Sequence, residues 1–430
     1  MKHEDLLKNI SEFVSKRKQE KPRVANYLAA TVKNARIQRR MTLAQAVNNI
    51  CSQSSWSKFE NNYLNLPPEI IQSVCERMDL NYREIVNLNH LNNLPDCMEH
   101  YLFNHYKEIQ EMYDFANNEM FLSRDALIKC IYYLAFKRFD ELLETIKTLD
   151  NVKNTLSDYE LIMLIFCTIE YYIQINHFLE AQKYLKIIEL IPTNDIALNT
   201  LHQRQKFIIA CHLRDYYILN KSYQKLSVMS SRMYPILNRY LDRIMYLEAY
   251  PSDESLEDLG KLEFEEYFSD YKNEIYYTRM LILIDLGRFH EVIKLIIENQ
   301  WNEIRFACLL GYAIARISNE NRNIEGLDSY YQKFYELFNN THYSEMDNVH
   351  VEFIKYIKLV LDENTDIDNE LNYLRNNLIP KLDIIQHRLY TFVYASRYTY
   401  LLGKRSKYKE SHLFTYHNHH LLNDLHLQEF

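Results

Sequence analysis

The side chains best placed to do chemistry lie in one short segment and are Gln53, Ser54, Ser55 and Lys58. A glutamine amide can form two hydrogen bonds to adenine, and a lysine can donate to guanine in the DNA major groove. A recognition helix carries such side chains near its N-terminal end. Their types and spacing therefore predict a surface that binds base edges. The alternative is that these residues form only a solvated helix face.

The flanking residues predict two short helices joined by a tight turn over residues 42–60. Thr42 and Ser52 are the predicted N-caps, because their hydroxyls can accept hydrogen bonds from backbone amides of the first turn. Trp56 and Phe59, three residues apart, are predicted to point into a core. The polar side chains of the second helix are therefore left to face outward.

Asparagine and proline residues mark the ends of these helices. Asn48 and Asn49 end the first helix, and asparagine tolerates the left-handed backbone that such a turn often needs. Asn62 closes the second helix. Pro67 and Pro68 predict the start of a further amphipathic helix.

The segment LAQAVNNICSQSSWSKFENN resembles the DNA-binding domain of Xre-type, phage-repressor-like regulators. More narrowly, ICSQSxxSKxE resembles the cytosolic peptide-pheromone receptors of Gram-positive bacteria, the RNPP or Rgg-like family. The resemblance covers about residues 24–90. It implies base contacts from the four polar residues named above and a phosphate-side position for Asn61. Trp56, Phe59 and Glu60 match structural positions.

Charge supports a DNA-binding N-terminal domain independently. Residues 1–90 contain 14 Lys and Arg against 9 Asp and Glu, a net charge of +5, whereas the remaining residues carry −13. A basic module on an acidic body suits a protein whose first domain alone touches phosphates. Arg39 and Arg40, which precede the motif, are further candidate DNA contacts. The basic run at residues 15–23 predicts either an arm that reaches DNA or a solvated linker.

The composition predicts a helical protein. The 430 residues include only 5 Gly and 8 Pro, and the first glycine is Gly260, which favours long helices with short connections. Because no glycine precedes Gly260, a glycine-rich phosphate loop is excluded from the first half of the chain.

The seven cysteines are scattered without a CxxC pair, as suits a reducing cytosol, and no apolar run reaches membrane-spanning length. We therefore expect a cytoplasmic, non-enzymatic protein with no membrane partner, metal or cofactor.

Beyond residue 100 the chain repeats itself. Segments from Tyr132, Tyr171 and Tyr216 each begin with a tyrosine pair and carry an aromatic residue seven positions later. Two further copies, from Ile282 and Leu401, have Ile or Leu in place of the pair. Each copy predicts a helix, a short polar turn and a second helix, so that neighbouring hairpins bury one continuous core. The second tyrosines of the pairs, which are predicted to pack between helices, are Tyr133, Tyr172 and Tyr217.

The copies resemble degenerate tetratricopeptide repeats. The best match is NHFLEAQKYLKIIELIP, residues 176–192, with Ala181 where that family packs a small residue. The predicted fold class is all-α, with an N-terminal helix-turn-helix domain followed by a tetratricopeptide-like helical-hairpin solenoid. The predicted boundaries are 1–23 for an amphipathic helix and basic arm, 24–90 for the helix-turn-helix domain, 91–125 for linker helices and 126–430 for the repeats.

The concave face of such a solenoid is a usual binding surface. In the predicted repeat register, the inward-facing polar residues of the first helices are Glu170, Gln174, Asp215, Tyr277 and Asp285. An apolar groove with a few amides and carboxylates suits a short extended peptide, because these groups can hold its backbone or a positive charge. The alternative for each residue is a solvated position without a ligand.

Taken together, the sequence predicts a cytosolic transcription regulator that binds double-stranded operator DNA. The resemblance implies that its repeats sense a short signalling peptide and hold a homodimer, which would place two recognition helices about 34 Å apart. The ligand would shift the population between two arrangements of the protein. One alternative is a Rap-type protein that sequesters a signalling protein. Another is a ligand-independent phage or plasmid repressor.

Overall fold

A computed structural model describes residues 6–17, 27–83, 94–116, 122–175, 177–262, 271–299, 301, 303–320, 327–340, 348–362, 365–382, 387–418 and 422. Every regular element in these residues is helical, so the predicted all-α class is confirmed. Among them, no helix combines the length and apolar character that crossing a bilayer requires. The chain forms two compact units, the first of Met1–Ala210 with Asp215–Arg239 and the second of Cys211–Arg214 with Tyr240–Phe430.

The helices are numbered in chain order within the described residues. Helices α1 to α13 span Ile10–Arg17, Tyr27–Gln38, Leu43–Val47, Gln53–Glu60, Pro68–Arg77, Leu94–Leu102, Tyr106–Ala116, Ser123–Ala135, Phe139–Val152, Asp158–Gln174, Phe178–Ile188, Ile196–Leu213 and Tyr216–Ser227. Helices α14 to α23 span Ile236–Ala249, Asp253–Leu262, Lys272–Asp285, Phe289–Glu298, Ile304–Glu320, Leu327–Asn340, Asn348–Leu361, Ile367–Tyr373, Arg388–Lys404 and Tyr408–His417.

The N-terminal head, residues 27–83, contains the predicted pair of short helices as α3 and α4. The Thr42 hydroxyl accepts a hydrogen bond from the backbone N–H of Gln45, whose side chain accepts from the Thr42 N–H, and this is a capping box. The Ser52 hydroxyl accepts from the Ser55 N–H at the start of α4. Both predicted N-caps are therefore confirmed.

The predicted inward residues of α4 form the centre of the head. Trp56 and Phe59 are only 0% and 2% exposed, and their ring centroids lie 5.0 Å apart. Helix α5 begins at Pro68, as the proline pair predicts, and adds Ile71 and Val74 to the same core. This small core fixes the direction of α4, so the polar side chains on the rest of that helix face away from it.

Left-handed residues end many of these helices. Asn49 and Asn62 have φ angles of 58° and 60°, as predicted for the ends of α3 and α4. After Asn62, the N–H of Tyr63 donates to the carbonyl of Lys58 at 2.8 Å. A bond to the carbonyl five residues earlier, closed by a left-handed residue, is the Schellman motif.

The same turn joins the two helices of the repeat hairpins. A left-handed residue stands two positions before the second helix at Lys137, Arg214, Gly287 and Ser406. In each case the N–H of the next residue donates to the carbonyl five residues earlier, at 2.8 to 3.0 Å. The turns are therefore alike in backbone geometry although their side chains differ.

The predicted register of the third copy is wrong. Tyr216 does not lie at the end of a first helix. It begins the second helix, α13, where the first two copies carry a phenylalanine at 139 and 178. The second helices thus start at intervals of 39 and 38 residues. Tyr217 is consequently 75% exposed instead of packed between helices, whereas Tyr172 is buried as predicted and Tyr133 is half-buried.

Helix α1 packs within the first unit, and its last residues, 15–17, are the beginning of the predicted basic arm. Val14 is buried, and the Arg17 guanidinium donates to the Asp158 carboxylate at 2.8 Å and to the Leu156 carbonyl at 2.6 Å. Arg17 therefore binds the repeat region. Residues 18–23 of the arm lie outside the described residues.

Helix α18 lies at the centre of the second unit, packed against α17, α19 and α20. Gly311 on this helix is required by close packing. A Cβ atom there would lie 2.7 Å from Phe334 Cε2 and 3.1 Å from Ile357 Cγ2. By contrast, a Cβ at Gly260 would meet no atom within 4 Å.

Substituting these two glycines should have opposite effects on stability. We expect Gly311→Ala to lower the free energy of unfolding by about 1–3 kcal/mol, because the added methyl overpacks a filled core. Gly260→Ala, in helix α15, should raise it by up to about 1 kcal/mol through better helix propensity. Urea unfolding followed by circular dichroism measures both, and equal shifts of the same sign would contradict the packing around Gly311.

Candidate DNA-binding surface and ligand cavity

The predicted base-reading residues lie on α4, and most of them are solvent-exposed. Gln53, Ser54 and Lys58 are exposed, as a reader of base edges requires. Ser55 is half-buried, and its hydroxyl accepts from the Ser52 hydroxyl at 2.8 Å. Ser55 is thus bonded to the N-cap residue Ser52, and Gln53, Ser54 and Lys58 are the more accessible donors and acceptors.

A buried polar network holds α4 from behind. The Glu60 carboxylate accepts two hydrogen bonds from the Arg36 guanidinium, at 2.7 and 2.6 Å, and one from the Trp56 indole N–H at 2.8 Å. Arg36 also donates to the Met41 carbonyl at 3.0 Å, just before α3. A two-pronged arginine–carboxylate pair fixes geometry as well as charge. The network therefore ties α2, α3 and α4 into one rigid piece.

The other candidate DNA contacts differ in their surroundings. Arg39 and Arg40 are both exposed, and Arg40 is the left-handed residue that ends α2, with φ 53°. Asn61 instead makes three contacts within the protein. Its amide oxygen accepts from Lys33 Nζ and from Asn154 Nδ2, each at 2.9 Å, and its amide nitrogen donates to the Ser57 carbonyl at 2.8 Å.

The contact between Asn61 and Asn154 joins the head to the first repeat hairpin. Helix α2 packs against α8, α9 and the 3-10 turn Lys153–Thr155 in the same unit. Lys33 on α2 is half-buried, and this burial lowers the pKa of its ammonium group. The phosphate-side position that the resemblance implies for Asn61 is thus occupied by the protein's own groups in this structure.

The predicted ligand residues of the first unit lie in different environments. Glu170 is only 8% exposed; it accepts from Gln205 Nε2 at 2.9 Å and from the Tyr101 hydroxyl at 3.5 Å. Burial raises the pKa of its carboxyl group. Gln174 is exposed near the end of α10. Their roles in ligand binding stay predictions.

The position predicted for Asp215 requires correction. It lies in the turn and caps α13, where its carboxylate accepts from the Ile218 N–H at 3.1 Å. It is therefore not an inward-facing residue of a first helix, and the cause is the shifted register of the third copy. In the corrected register His212 stands four residues before the second helix, as Gln174 and Asp285 do in their copies.

Tyr277 and Asp285, the predicted ligand residues of the second unit, lie at one polar cluster. The Tyr277 hydroxyl is 2.6 Å from Nε2 of His387. Asp285 accepts from Arg388 Nη2 at 2.8 Å, and Arg214 Nη2 lies 4.0 Å from the same oxygen. Burial raises the pKa of the Tyr277 phenol well above its ordinary value and lowers that of His387 to about 3, so both are neutral at pH 7.

A cavity of about 200 Å³ opens beside this cluster, and all of its walls belong to the second unit. Its lining residues are Cys211, His212, Arg214, Met245, Glu248, Ala249, Tyr277, Leu281, His387, Arg388 and Leu389. Tyr277 among these residues, and Asp285 behind them, were predicted from the sequence. His212 was not predicted because of the register error, and the two arginines were not predicted because no local pattern marks them.

A wider depression of about 710 Å³ lies on the C-terminal hairpin of α22 and α23. Its walls include strongly exposed side chains such as Tyr408 and Leu413, which are 68% and 48% exposed. The smaller cavity is the better candidate for a specific site, because its polar groups are half-buried and converge on one volume.

Comparison with protein-family models and with curated protein sequences finds no match. Among solved structures, the chain is similar to the crystal structure of Bacillus thuringiensis PlcR in complex with the peptide PapR7 and DNA. The sequence identity is 18%, the TM-score is 0.28, and the match covers 64% of this chain and 100% of that chain. At this TM-score the likeness assigns no role to any residue of this chain.

The buried carboxyl group of Glu170 should make stability depend on pH. Because its pKa is raised in the folded state, ionisation opposes folding once the pH exceeds the ordinary value of 4.5. We expect Glu170→Gln to raise the melting temperature at pH 8 and to have a smaller effect near pH 4.5. Differential scanning calorimetry at both pH values measures the difference.

Glu189→Gln is the control of opposite sign. A hydrogen bond from Lys206 lowers the pKa of Glu189, so its contribution is present above the ordinary pKa and is lost as the pH falls. That variant should be slightly less stable than the parent at pH 8 and closer to it at acid pH. A Glu170→Gln variant that is less stable at pH 8 would contradict the buried, disfavoured carboxylate.

Proposed function

We propose that this protein is a DNA-binding transcription regulator whose helical repeats sense a ligand, most simply a short signalling peptide. The observation that supports the DNA-binding part of this proposal is the geometry of α4. Its N-terminal polar side chains Gln53, Ser54 and Lys58 are exposed, while Trp56 and Glu60 anchor the helix from behind. An exposed polar face on a rigid, capped helix in a basic module suits insertion into the major groove.

In this proposal the residues of the head have separate tasks. Gln53 and Lys58 contact base edges and set sequence preference. Arg39 and Arg40 neutralise phosphates, which adds affinity without sequence information. Arg36 does not contact DNA and acts within the head, where its bonds to Glu60 and to the Met41 carbonyl keep α4 in position.

The proposed regulation runs through the first repeat hairpin. Helix α2 packs against α8 and α9, so a ligand that favours one arrangement of the repeats also changes how the head is held. The Asn61–Asn154 contact is the polar part of this connection. A homodimer would translate such a change into a new spacing between two recognition helices.

Removing the two proposed base contacts tests the DNA-binding part of the proposal directly. We expect Gln53→Ala/Lys58→Ala to weaken binding to the DNA upstream of its own gene by about 2–6 kcal/mol, taking roughly 1–3 kcal/mol for each of the two base contacts. Fluorescence anisotropy at two salt concentrations measures the loss, and the salt slope should change little, because both lost contacts are to bases and not to phosphates.

The matched control is Gln72→Ala/Lys107→Ala, which removes the same residue types from exposed positions on α5 and α7. It should bind DNA like the parent. Equal losses in the two double variants, with both proteins folded, would sink the assignment of α4 as the reader.

Releasing Asn61 from the repeat hairpin should strengthen DNA binding. Asn61 must turn its amide to donate to a phosphate, and Asn154→Ala removes one of the bonds that oppose this turn. We expect up to about fivefold tighter binding, the worth of one neutral hydrogen bond. Asn199→Ala, which removes a different side-chain hydrogen bond of the same unit, should leave the affinity unchanged. Unchanged affinity in Asn154→Ala would identify Asn61 as a structural cap only.

A further inference from the structure

The cavity of the second unit has walls of a particular chemical kind. Two guanidinium groups, Arg214 and Arg388, line it together with apolar side chains such as Met245 and Leu281. Behind the wall, Asp285 is fully buried, with 1% of its side chain exposed. A cavity with cations on one side and apolar groups on the other suits a ligand that has an anionic end and an apolar body.

The two carboxylates near Arg388 are not equivalent. Asp285 accepts directly from Arg388 Nη2 at 2.8 Å, whereas Glu248 Oε1 stands 4.0 Å from Arg388 Nε. A distance of 4.0 Å is too long for a hydrogen bond. Glu248 also has 32% of its side chain exposed, so solvent weakens its attraction to the arginine. A ligand carboxylate in direct contact with the guanidinium would therefore interact with Arg388 more strongly than Glu248 does at this distance.

A second observation concerns the wall of the same cavity. His387 lines the cavity, and its Nδ1 atom is buried without a hydrogen-bond partner in the described part of the chain. Its other ring nitrogen contacts the Tyr277 hydroxyl at 2.6 Å. A buried polar atom without a partner costs free energy, so such atoms are expected where a ligand or an ordered water completes the site.

We propose that this cavity is a carboxylate-binding site, with Arg388 and Arg214 as the recognition pair and Met245 and Leu281 against the apolar body of the ligand. The guanidinium fork matches the two oxygens of a carboxylate. The volume of about 200 Å³ lies below the range of roughly 300–1,000 Å³ typical of drug-sized ligands, so the bound part is small. Its chemistry fits either the C-terminal residue of a short peptide or a free short-chain carboxylic acid. The inference rests on the proposed sensing role and names the chemical class that is sensed.

A matched pair of probes tests the carboxylate requirement. N-acetyl-L-leucine and N-acetyl-L-leucinamide share one apolar body and differ only in the acid, and their binding to the full chain without DNA is measured by isothermal titration calorimetry. We expect the acid to bind about 10- to 100-fold tighter than the amide, the worth of a charge-assisted hydrogen bond. Equal binding of the two, or no binding of the acid up to its solubility limit, would overturn the proposal.

Two variants of opposite sign keep the test independent of folding defects. Arg214→Gln should weaken binding of the acid about 10-fold or more. Glu248→Gln should tighten it by about fivefold, because it removes a like charge near the ligand. Arg243→Gln is the control, since Arg243 lies on the same helix as Glu248, pairs with Asp258 and does not line the cavity. Variants at 214 and 248 that both bind like the parent would refute the assignment.

Extending the probe separates the two sources of the carboxylate. The peptide acetyl-Ala-Ala-Ala-Leu with a free C-terminus should bind at least as tightly as N-acetyl-L-leucine if the site receives a peptide end. Loss of binding on extension assigns the cavity to a free acid. Because no readout contains DNA, a negative result here leaves the DNA-binding proposal standing, and failure of DNA binding leaves this one standing.

Discussion

The left-handed residue that closes four of the repeat hairpins is a constraint on which the architecture of the repeats depends. An L-residue pays about 1–2 kcal/mol for this conformation, yet of the four repeat-hairpin turns at Lys137, Arg214, Gly287 and Ser406 only one uses glycine. The bond to the carbonyl five residues earlier and the docking of the next helix offset that cost. Each turn reverses the chain within a few residues, which brings the second helix of a hairpin back along the first.

The head uses the same turn for a different purpose. Asn62 ends α4 just after Glu60, so the buried carboxylate sits at a helix end where Arg36 and Trp56 can both reach it. A buried ion pair of this kind is weak evidence for stability, because desolvation consumes most of its Coulomb energy. The role of this ion pair is instead to hold α4 in a fixed position. It fixes the helix that presents Gln53 and Lys58, and two of its members come from α4 itself.

The sequence allowed prediction of those features that depend on neighbouring residues. Thr42 and Ser52 were identifiable as caps, and Trp56 and Phe59 as core residues, because each depends on neighbours within four positions. The third repeat failed for a physical reason. Tyrosine serves both the end of a first helix, as at Tyr171, and the start of a second, as at Tyr216, so an aromatic pattern alone cannot fix the register. The left-handed turn at Arg214 fixes it, and no residue type marks that turn.

The charged cluster of the second unit shows that contacts between residues distant in sequence could not be predicted from the sequence. Arg214, Glu248, Asp285 and Arg388 come from four segments far apart in sequence, and of these only Asp285 was predicted to face a ligand. Folding instead places three of them in the wall of one small cavity and Asp285 behind it, next to apolar side chains and neutral imidazoles. An apolar core of the same volume would generally be as stable or more stable. Folding stability therefore gives no reason for charges to gather there, whereas recognition of a charged group does, since fixed guanidinium groups in a half-buried site bind an anion more strongly than they would in water.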